Sequence, residues 1–139
     1  MNNSVTIVMI EDDEGHARLI EKNIRRAGVT NPILKFTTGQ AAWDYLDSPE
    51  RAHALLILLD LNLPDTTGID ILQRLKQDDI LKRAPVIILT TTDDKLEIER
   101  CYELGCNVYI TKPVEYEHFA HAIRQLGLFF SVIQVPEAE

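Results

Sequence analysis

The chain has 139 residues and a formal net charge of −8, with 45% hydrophobic and 26% charged residues. This composition is typical of one globular domain, and the acidic excess argues against binding to nucleic-acid phosphates or anionic membrane surfaces. The longest apolar run is too short to span a bilayer, the N-terminus lacks the layout of a signal peptide, and two cysteines make no disulfide framework. We therefore expect a cytoplasmic protein.

The first half of the chain predicts three strands and two helices. Val5–Ile10 is an apolar run of the kind buried on both faces of a parallel sheet, and an acidic cluster at residues 11–14 ends it. Apolar residues recur at helical spacing from His16 to Ala27, and Gly28 supplies a C-terminal stop. The next elements are a strand, a helix and a strand: Ile33–Phe36, Gln40–Leu46 and Leu55–Leu59.

The second half of the chain continues the same alternation. After the loop Pro64–Gly68 comes a helix marked by Ile69, Leu72 and Leu75, and then the strand Val86–Leu89. The next helix runs from an N-cap at Asp93 to Leu104, and the strand Val108–Thr111 follows it. The last element is a helix from Tyr116 onward, whose residues Phe119, Ile123 and Leu126 are expected to pack on the sheet. Strand and helix therefore alternate five times. This order predicts an α/β protein with a doubly wound parallel sheet, in which ligands bind beyond the carboxyl ends of the strands.

Polar side chains follow four of the predicted strands at that edge. They are Glu11–Asp13 after the first strand, Asp60 after the third, Thr90–Thr92 after the fourth, and Lys112 with Pro113 after the fifth. Taken singly, each has a simpler interpretation: the acids cap a helix, Asp60 forms a turn, the threonines are strand or cap residues, and the lysine is solvated. Taken together, they predict three carboxylates, a hydroxyl and an ammonium around one pocket.

This set of groups favours phosphoryl chemistry with a bound cation. Clustered carboxylates repel one another and attract a divalent cation, and an oxygen-rich site without Cys or His ligands suits Mg²⁺. A carboxylate can also act as a nucleophile and form an acyl phosphate. The absence of "GxxxxGK" disfavours a P-loop nucleotidase. The four histidines are scattered and are expected on the surface: His16, His53, His118 and His121.

Four motifs in order, "IEDD", "LLDLNLPDTTG", "PVIILTTT" and "YITKP", make the chain resemble a response regulator receiver domain over roughly residues 4–126. The resemblance implies a flavodoxin-like fold with strand order 2-1-3-4-5. It implies a phosphorylation-activated regulator that accepts a phosphoryl group from a sensor histidine kinase. Such a domain is not an enzyme acting on other molecules, but it catalyses its own phosphorylation and slow dephosphorylation.

The resemblance also implies a phosphoacceptor and a Mg²⁺ site. By position, Asp60 matches the phosphoacceptor and also contacts the metal. Glu11 and Asp12 match the acidic pair that holds Mg²⁺, and Asn62 matches the residue whose backbone carbonyl binds it. The first acid is usually Asp, so we expect the longer Glu11 to reach the ion through water.

The same resemblance assigns the switch residues. Thr90 matches the hydroxyl that turns toward the phosphoryl group, and Tyr109 matches the aromatic residue that swings inward with it. Lys112 matches the lysine that pairs with the phosphoacceptor, and the Lys112–Pro113 bond is cis in the family. Thr91 replaces a smaller residue and could restrict access to the phosphoaspartate. We further expect Tyr109 to lie on the same side of the sheet as the fifth helix.

The end of the chain narrows the resemblance. With its Glu-Asp pair, its "LTT" and the tail "FAHAIRQLGLFFSVIQVPE", the chain is similar to the single-domain regulators of bacterial and cyanobacterial phytochrome kinases. We expect a receiver domain at 1–126 and an apolar extension at 127–139. Six large apolar residues in that extension either cover the core of their own chain or form a homodimer, and we favour the dimer. The tail is too short for a DNA-binding output domain, so the expected output is protein contact.

Two rival functions make different demands on the residues. A receiver-fold interaction module that signals without phosphorylation would lack an acid, the hydroxyl or the lysine, and none is missing. A phosphohydrolase that uses an aspartyl phosphate generally needs a second acid two residues after the nucleophile. That position is Asn62, which cannot act as a general acid.

Overall fold

The computed structural model describes residues 5–113 and 115–129, without the side chains at 123 and 125–129. Its elements, in chain order, are β1 (Thr6–Ile10), α1 (Glu14–Arg26), β2 (Ile33–Phe36), α2 (Gly39–Leu46), β3 (Leu55–Leu59), α3 (Gly68–Gln77), a 3₁₀ turn (Leu81–Arg83), β4 (Val86–Thr90), α4 (Lys95–Leu104), β5 (Val108–Thr111) and α5 (Tyr116–Phe129). Within these ranges no helix is long and apolar enough to cross a membrane.

The five strands form one parallel sheet in the order β2-β1-β3-β4-β5. The predicted α/β fold and strand order are therefore confirmed. The order reverses between β1 and β3, which is where ligands bind in such sheets. Ile10 pairs with Leu59 across this junction. The next residues along the two strands, Glu11 and Asp60, consequently emerge side by side at the carboxyl edge.

Helices cover both faces of the sheet, and the strand side chains alternate between two cores. On one face, Ile7, Met9, Leu56 and Leu58 pack with α1 and with Phe119 of α5. On the other face, alternate strand residues pack with α2, α3 and Cys101 of α4. β3 and β4 are buried along their whole length. This explains the uniform apolar run that leads up to Asp60.

Side-chain caps fix the helix starts and correct two predicted boundaries. Asp13 accepts the backbone N–H of His16, so α1 begins at Glu14, before the predicted start. The N-cap of α4 is Asp94, not the predicted Asp93, because the Asp94 carboxylate accepts the N–H of Leu96 at 3.0 Å. The helix ends as predicted at Gly105, whose φ of 110° is left-handed.

The predicted side of the sheet for Tyr109 was wrong. β5 directs Val108 and Ile110 toward the α1/α5 core, so alternation directs Tyr109 to the opposite core with α3 and α4. Phe119 is fully buried in the α1/α5 core, as predicted. The predicted packing of Ile123 and Leu126 involves side chains outside the description. The proposed dimerisation segment, 127–139, has only the backbone of its first three residues within it.

Candidate functional site

Asp60 stands at the carboxyl end of the buried strand β3 and is itself only 6% exposed. The loop that follows it turns back tightly: the N–H of Asn62 donates to Asp60 Oδ1 at 3.1 Å, and the N–H of Gly68 donates to the carbonyl of Leu61 at 2.8 Å. A Cβ on Gly68 would lie 2.4 Å from the carbonyl oxygen of Asp60. Only glycine therefore allows the start of α3 to approach the Asp60 backbone this closely.

Two further carboxylates lie beside Asp60. Glu11 is buried, at 4% exposed, and Asp12 is exposed. Carboxylate oxygens of Glu11, Asp12 and Asp60 all lie within 4.8 Å of one another. Burial raises the pKa of Glu11, and the nearby charge of Asp60 raises it further, against the lowering effects of Lys112 and the Asp13 amide. The cluster thus places carboxylates where burial disfavours the charged form of Glu11.

Lys112 supplies the positive charge of the site from the end of β5. Its ammonium binds Glu11 Oε1 and lies 3.3 Å from Asp60 Oδ2, and its side chain is 6% exposed. Its backbone N–H donates to the carbonyl of Thr90 at 2.8 Å, which fixes its origin beside β4. The predicted contact between Lys112 and Asp60 is present, although Glu11 is the nearer partner. The peptide bond between Lys112 and Pro113 is cis, as expected.

Thr90 and Tyr109 lie at the border of the site. Thr90 is fully buried as the last residue of β4, and its hydroxyl lies 3.4 Å from the side-chain nitrogen of Asn62. The Tyr109 hydroxyl donates to the carbonyl of Thr92 at 2.7 Å, which ties it to the segment that follows Thr90. Burial raises the pKa of Tyr109, so its hydroxyl stays protonated at neutral pH.

The carboxylate cluster fits a hard divalent cation. Three carboxylates face one ammonium, which leaves two negative charges concentrated at one end of the sheet. The donors are oxygens only, as Mg²⁺ and Mn²⁺ prefer. Glu11, Asp12 and Asp60 are the residues that could hold such an ion, and Asn62 borders them through its contact with Asp60.

His16 is exposed, as predicted, but it also borders the site, which was not predicted from the sequence. Its Nδ1 lies 3.1 Å from Lys112 Nζ and 3.9 Å from Glu11 Oε2. The sequence did hold a signal for this position, because a residue in the first turn of a helix that starts at the acidic cluster must lie near it. His118 is also exposed, as predicted, and lies 3.5 Å from Glu115, away from the site.

Comparisons with known proteins match nearly the whole chain. The family model described as response regulator receiver domain matches residues 7–124. Among curated proteins, Response regulator Rcp1 of Synechocystis sp. is 33% identical over 137 residues, which cover 95% of this chain and 93% of Rcp1.

Solved structures agree with this match. A response regulator receiver domain from Rhodospirillum rubrum is 67% identical, with a TM-score of 0.78 and coverage of 97% of this chain and 99% of that one. The phosphorylated cyanobacterial phytochrome response regulator RcpA is 30% identical, with a TM-score of 0.75 and coverage of 96% and 99%. The Mn²⁺-bound form of Rcp1 is 29% identical, with a TM-score of 0.75 and the same coverage.

Proposed function

This chain belongs to the response regulator receiver domain family, and we propose that it acts as a switch whose phosphoryl acceptor is Asp60. It is a receiver regulator similar to Rcp1 and to the cyanobacterial phytochrome response regulator RcpA. The observation that carries the proposal is the contact set of Asp60. This carboxylate ends the central strand, and two acids and the Lys112 ammonium surround it.

The proposed reaction is an in-line phosphoryl transfer to Asp60. A carboxylate oxygen attacks the phosphorus of a phosphohistidine, the new P–O bond forms, and the P–N bond breaks with its electron pair returning to the imidazole. Lys112 donates to a phosphoryl oxygen and stabilises charge in the transition state and in the product. The hydroxyl of Thr90 then turns from Asn62 toward the phosphoryl group, and Tyr109 follows it.

A divalent cation, Mg²⁺ by preference, is proposed at Glu11, Asp12 and Asp60, with the backbone carbonyl of Asn62. When bound, such a cation neutralises charge on the phosphoryl oxygens. Adding Mg²⁺ should raise the free energy of unfolding, by about 1.4 kcal/mol at tenfold the Kd. Asp12→Asn should weaken this stabilisation, whereas Asp47→Asn, a change at an unrelated helix end, should not. Equal stabilisation of all three proteins would contradict the assignment.

The proposed partner is a sensor histidine kinase, and a phytochrome is the favoured class. Support comes from RcpA, which is described as a phytochrome response regulator and whose structural match covers 96% of this chain. We propose that the chain meets such a kinase in the cytoplasm. Incubating the chain with purified candidate kinases and radiolabelled ATP tests the partner directly.

The decisive experiment on the acceptor uses acetyl phosphate and Mg²⁺. The wild-type chain should gain one phosphoryl group, detected by intact-mass measurement, and Asp60→Asn should gain none. An interaction module that works without phosphorylation predicts no gain in either protein. A phosphohydrolase predicts multiple turnovers of a phosphomonoester. Equal labelling of the wild type and the Asn variant would show that another residue is the acceptor.

A homodimer through the extension at 127–139 remains part of the proposal and rests on the sequence alone. Beyond Gly127 the chain carries Leu128, Phe129, Phe130, Val132, Ile133 and Val135. Burying a Leu- or Phe-sized side chain contributes roughly 1.5–3 kcal/mol, enough for a few residues on each partner to offset the entropy of association. Sedimentation of the full chain against one truncated after residue 126 tests this. A full chain that is monomeric at tens of micromolar, roughly the range of weak specific interfaces, would overturn it.

A further inference from the structure

Among the described residues the Lys112 ammonium has three contacts, and one of them has no part in the phosphorylation scheme. Two are the carboxylates of Glu11 and Asp60, and the third is Nδ1 of His16 at 3.1 Å. We infer that His16 is a positioning residue that fixes the Lys112 ammonium for phosphoryl transfer by accepting its third hydrogen bond. This inference rests on the proposed phosphorylation of Asp60.

The chemistry of the two side chains decides the direction of this hydrogen bond. A lysine ammonium has three N–H donors and no acceptor. Nδ1 of His16 must therefore accept with its lone pair, because a proton on that nitrogen would point at the ammonium protons. The ring proton consequently sits on Nε2. With Glu11, Asp60 and His16 as acceptors, each of the three ammonium protons has one partner.

The third acceptor changes what the ammonium can do. Between two carboxylates alone, the ammonium would follow the nearer one, which is Glu11 rather than Asp60. His16 adds a third acceptor that is not a carboxylate. If a cation occupies the carboxylate oxygens, the imidazole still offers its acceptor.

The backbone fixes His16 in this place. Its N–H donates to the N-cap carboxylate of Asp13 at 2.9 Å, so the residue is anchored in the first turn of α1. The side chain of His16 is 46% exposed, whereas that of Lys112 is 6% exposed. The contact therefore joins an exposed imidazole to a nearly buried ammonium. Substituting the ring leaves the cap intact, because the cap uses only the backbone N–H of residue 16.

The first test measures the tautomer of His16 that this hydrogen bond requires. Long-range proton–nitrogen correlation spectra of the full chain at neutral pH distinguish protonated from unprotonated imidazole nitrogens. We expect His16 to be the Nε2–H tautomer, assigned by its loss in His16→Ala. A His16 ring with the proton on Nδ1 would overturn the inference, and this outcome does not depend on phosphorylation.

The second test measures the initial rate of Asp60 phosphorylation with saturating acetyl phosphate and Mg²⁺. His16→Ala should slow it roughly two- to tenfold, the value of one net hydrogen bond. His16→Asn should restore most of the rate, because its Oδ1 can occupy the place of Nδ1. His118→Ala, an exposed histidine on α5, is the control and should match the wild type.

The remaining outcomes separate the possible failures. If His16→Ala matches the wild type, His16 does not position Lys112. If Ala and Asn slow the reaction equally, only the ring matters, and the hydrogen-bond role is overturned. A wild-type chain that never becomes labelled disproves the proposed function instead, and the tautomer measurement then decides the contact alone.

Discussion

The amino and carboxyl edges of the central sheet both carry polar side chains, but the partners of these side chains differ. At the amino edge these side chains bind the backbone: Asn31 Nδ2 donates to the carbonyl of Val5 at 2.8 Å, and Asn107 Oδ1 accepts the N–H of Val86 at 2.9 Å. At the carboxyl edge the side chains bind one another, as Lys112 does with Glu11 and Asp60. Polar side chains that satisfy the hydrogen-bonding groups of the backbone stabilise the fold. A cluster of side chains with uncompensated charge instead marks a site that can bind a ligand.

Two lysines make this difference concrete. Lys76, at the end of α3, has its ammonium 3.2 Å from the carbonyl of Lys82 and 3.5 Å from that of Ala84. Burial lowers the pKa of Lys76. Lys112 instead faces two carboxylates and an imidazole. Both are partly buried lysines, yet only Lys112 can meet a phosphoryl group.

The largest expected effect comes from Lys112→Ala. Removing one positioned donor from a transition-state site commonly costs about 10²–10³ in rate. We therefore expect Asp60 phosphorylation by acetyl phosphate to slow about 100-fold or more. Phosphorylation that does occur should no longer shift the NMR signals of Thr90 and Tyr109, because the charge that couples them is gone.

Lys76→Ala is the matched control for that variant. It should lower the free energy of unfolding, because two carbonyls lose a donor, but it should leave the phosphorylation rate within twofold of wild type. If the two lysine variants slow phosphorylation equally, the contrast between the two edges is wrong. If Lys112→Ala still switches normally, the role assigned to Lys112 is wrong.

The next effect in size is that of Gly68→Ala. The added Cβ would lie 2.4 Å from the carbonyl oxygen of Asp60 and 2.7 Å from Leu61 Cα, both backbone atoms. Overpacking of this kind typically costs about 1–3 kcal/mol. We expect this loss in urea unfolding, together with slower phosphorylation, since Asp60 must shift. Gly15→Ala, in the first turn of α1, is the control, and its nearest contact is the Asp13 side chain at 3.2 Å. Equal stability of Gly68→Ala and the wild type would refute the close-approach argument.

A smaller effect is expected at the amino edge with Asn31→Ala. The change leaves the Val5 carbonyl without its donor, which by itself costs roughly 1–3 kcal/mol. Asn31 Oδ1 is itself buried without a partner among the described residues, so its removal returns part of that cost. We expect a net loss of about 1 kcal/mol in urea unfolding and an unchanged phosphorylation rate. A change in the phosphorylation rate would show that the edges are coupled.

Much of the site was predictable because it depends on strand ends. In a parallel sheet, the residues that follow adjacent strands must meet, so Glu11 after β1 and Asp60 after β3 could be grouped before any coordinates. Lys112 follows β5, which β4 separates from β3, and its long side chain spans that distance to reach them. The fold followed from the strand–helix alternation, and the receiver motifs supplied the strand order. Asp60 also had a local signal, since a long buried strand led directly to it.

What could not be predicted depends on the phase of a strand or on the reach of a side chain. The four-residue strand β5 does not reveal which face receives its odd positions, so Tyr109 was assigned to the wrong core. The sequence "TTTDDK" contains two aspartates that could cap α4, and the structure shows that Asp94, whose backbone is extended, is the cap. The contact between His16 and Lys112 joins residues that are 96 positions apart in the sequence, and no local sequence pattern predicts such a contact.

The smallest expected effect comes from Asp78, a half-buried residue at the amino edge whose carboxylate binds the backbone. Its Oδ1 accepts the N–H groups of Ile80 and Leu81, both at 2.9 Å, and these bonds lower its pKa below 3.8. A lowered pKa means that the stabilisation is present above pH 3.8 and is lost as the pH falls through the folded-state value. Asp78→Asn should therefore unfold at a lower urea concentration than the wild type at pH 7. This difference in the urea midpoint, the gap between the two proteins, should close below pH 3.8.

Asp79→Asn is the control for this pH dependence, because the Asp79 side chain is 97% exposed and forms a surface ion pair with Lys82 at 3.6 Å. Its gap from the wild type should be small at every pH, as for most surface ion pairs. A gap for Asp78→Asn that stays constant through pH 3 would mean that the amide bonds do not depend on the carboxylate charge. Asp78 would then resemble Asn31 and Asn107, and the amino edge would owe its stability to hydrogen-bond geometry alone.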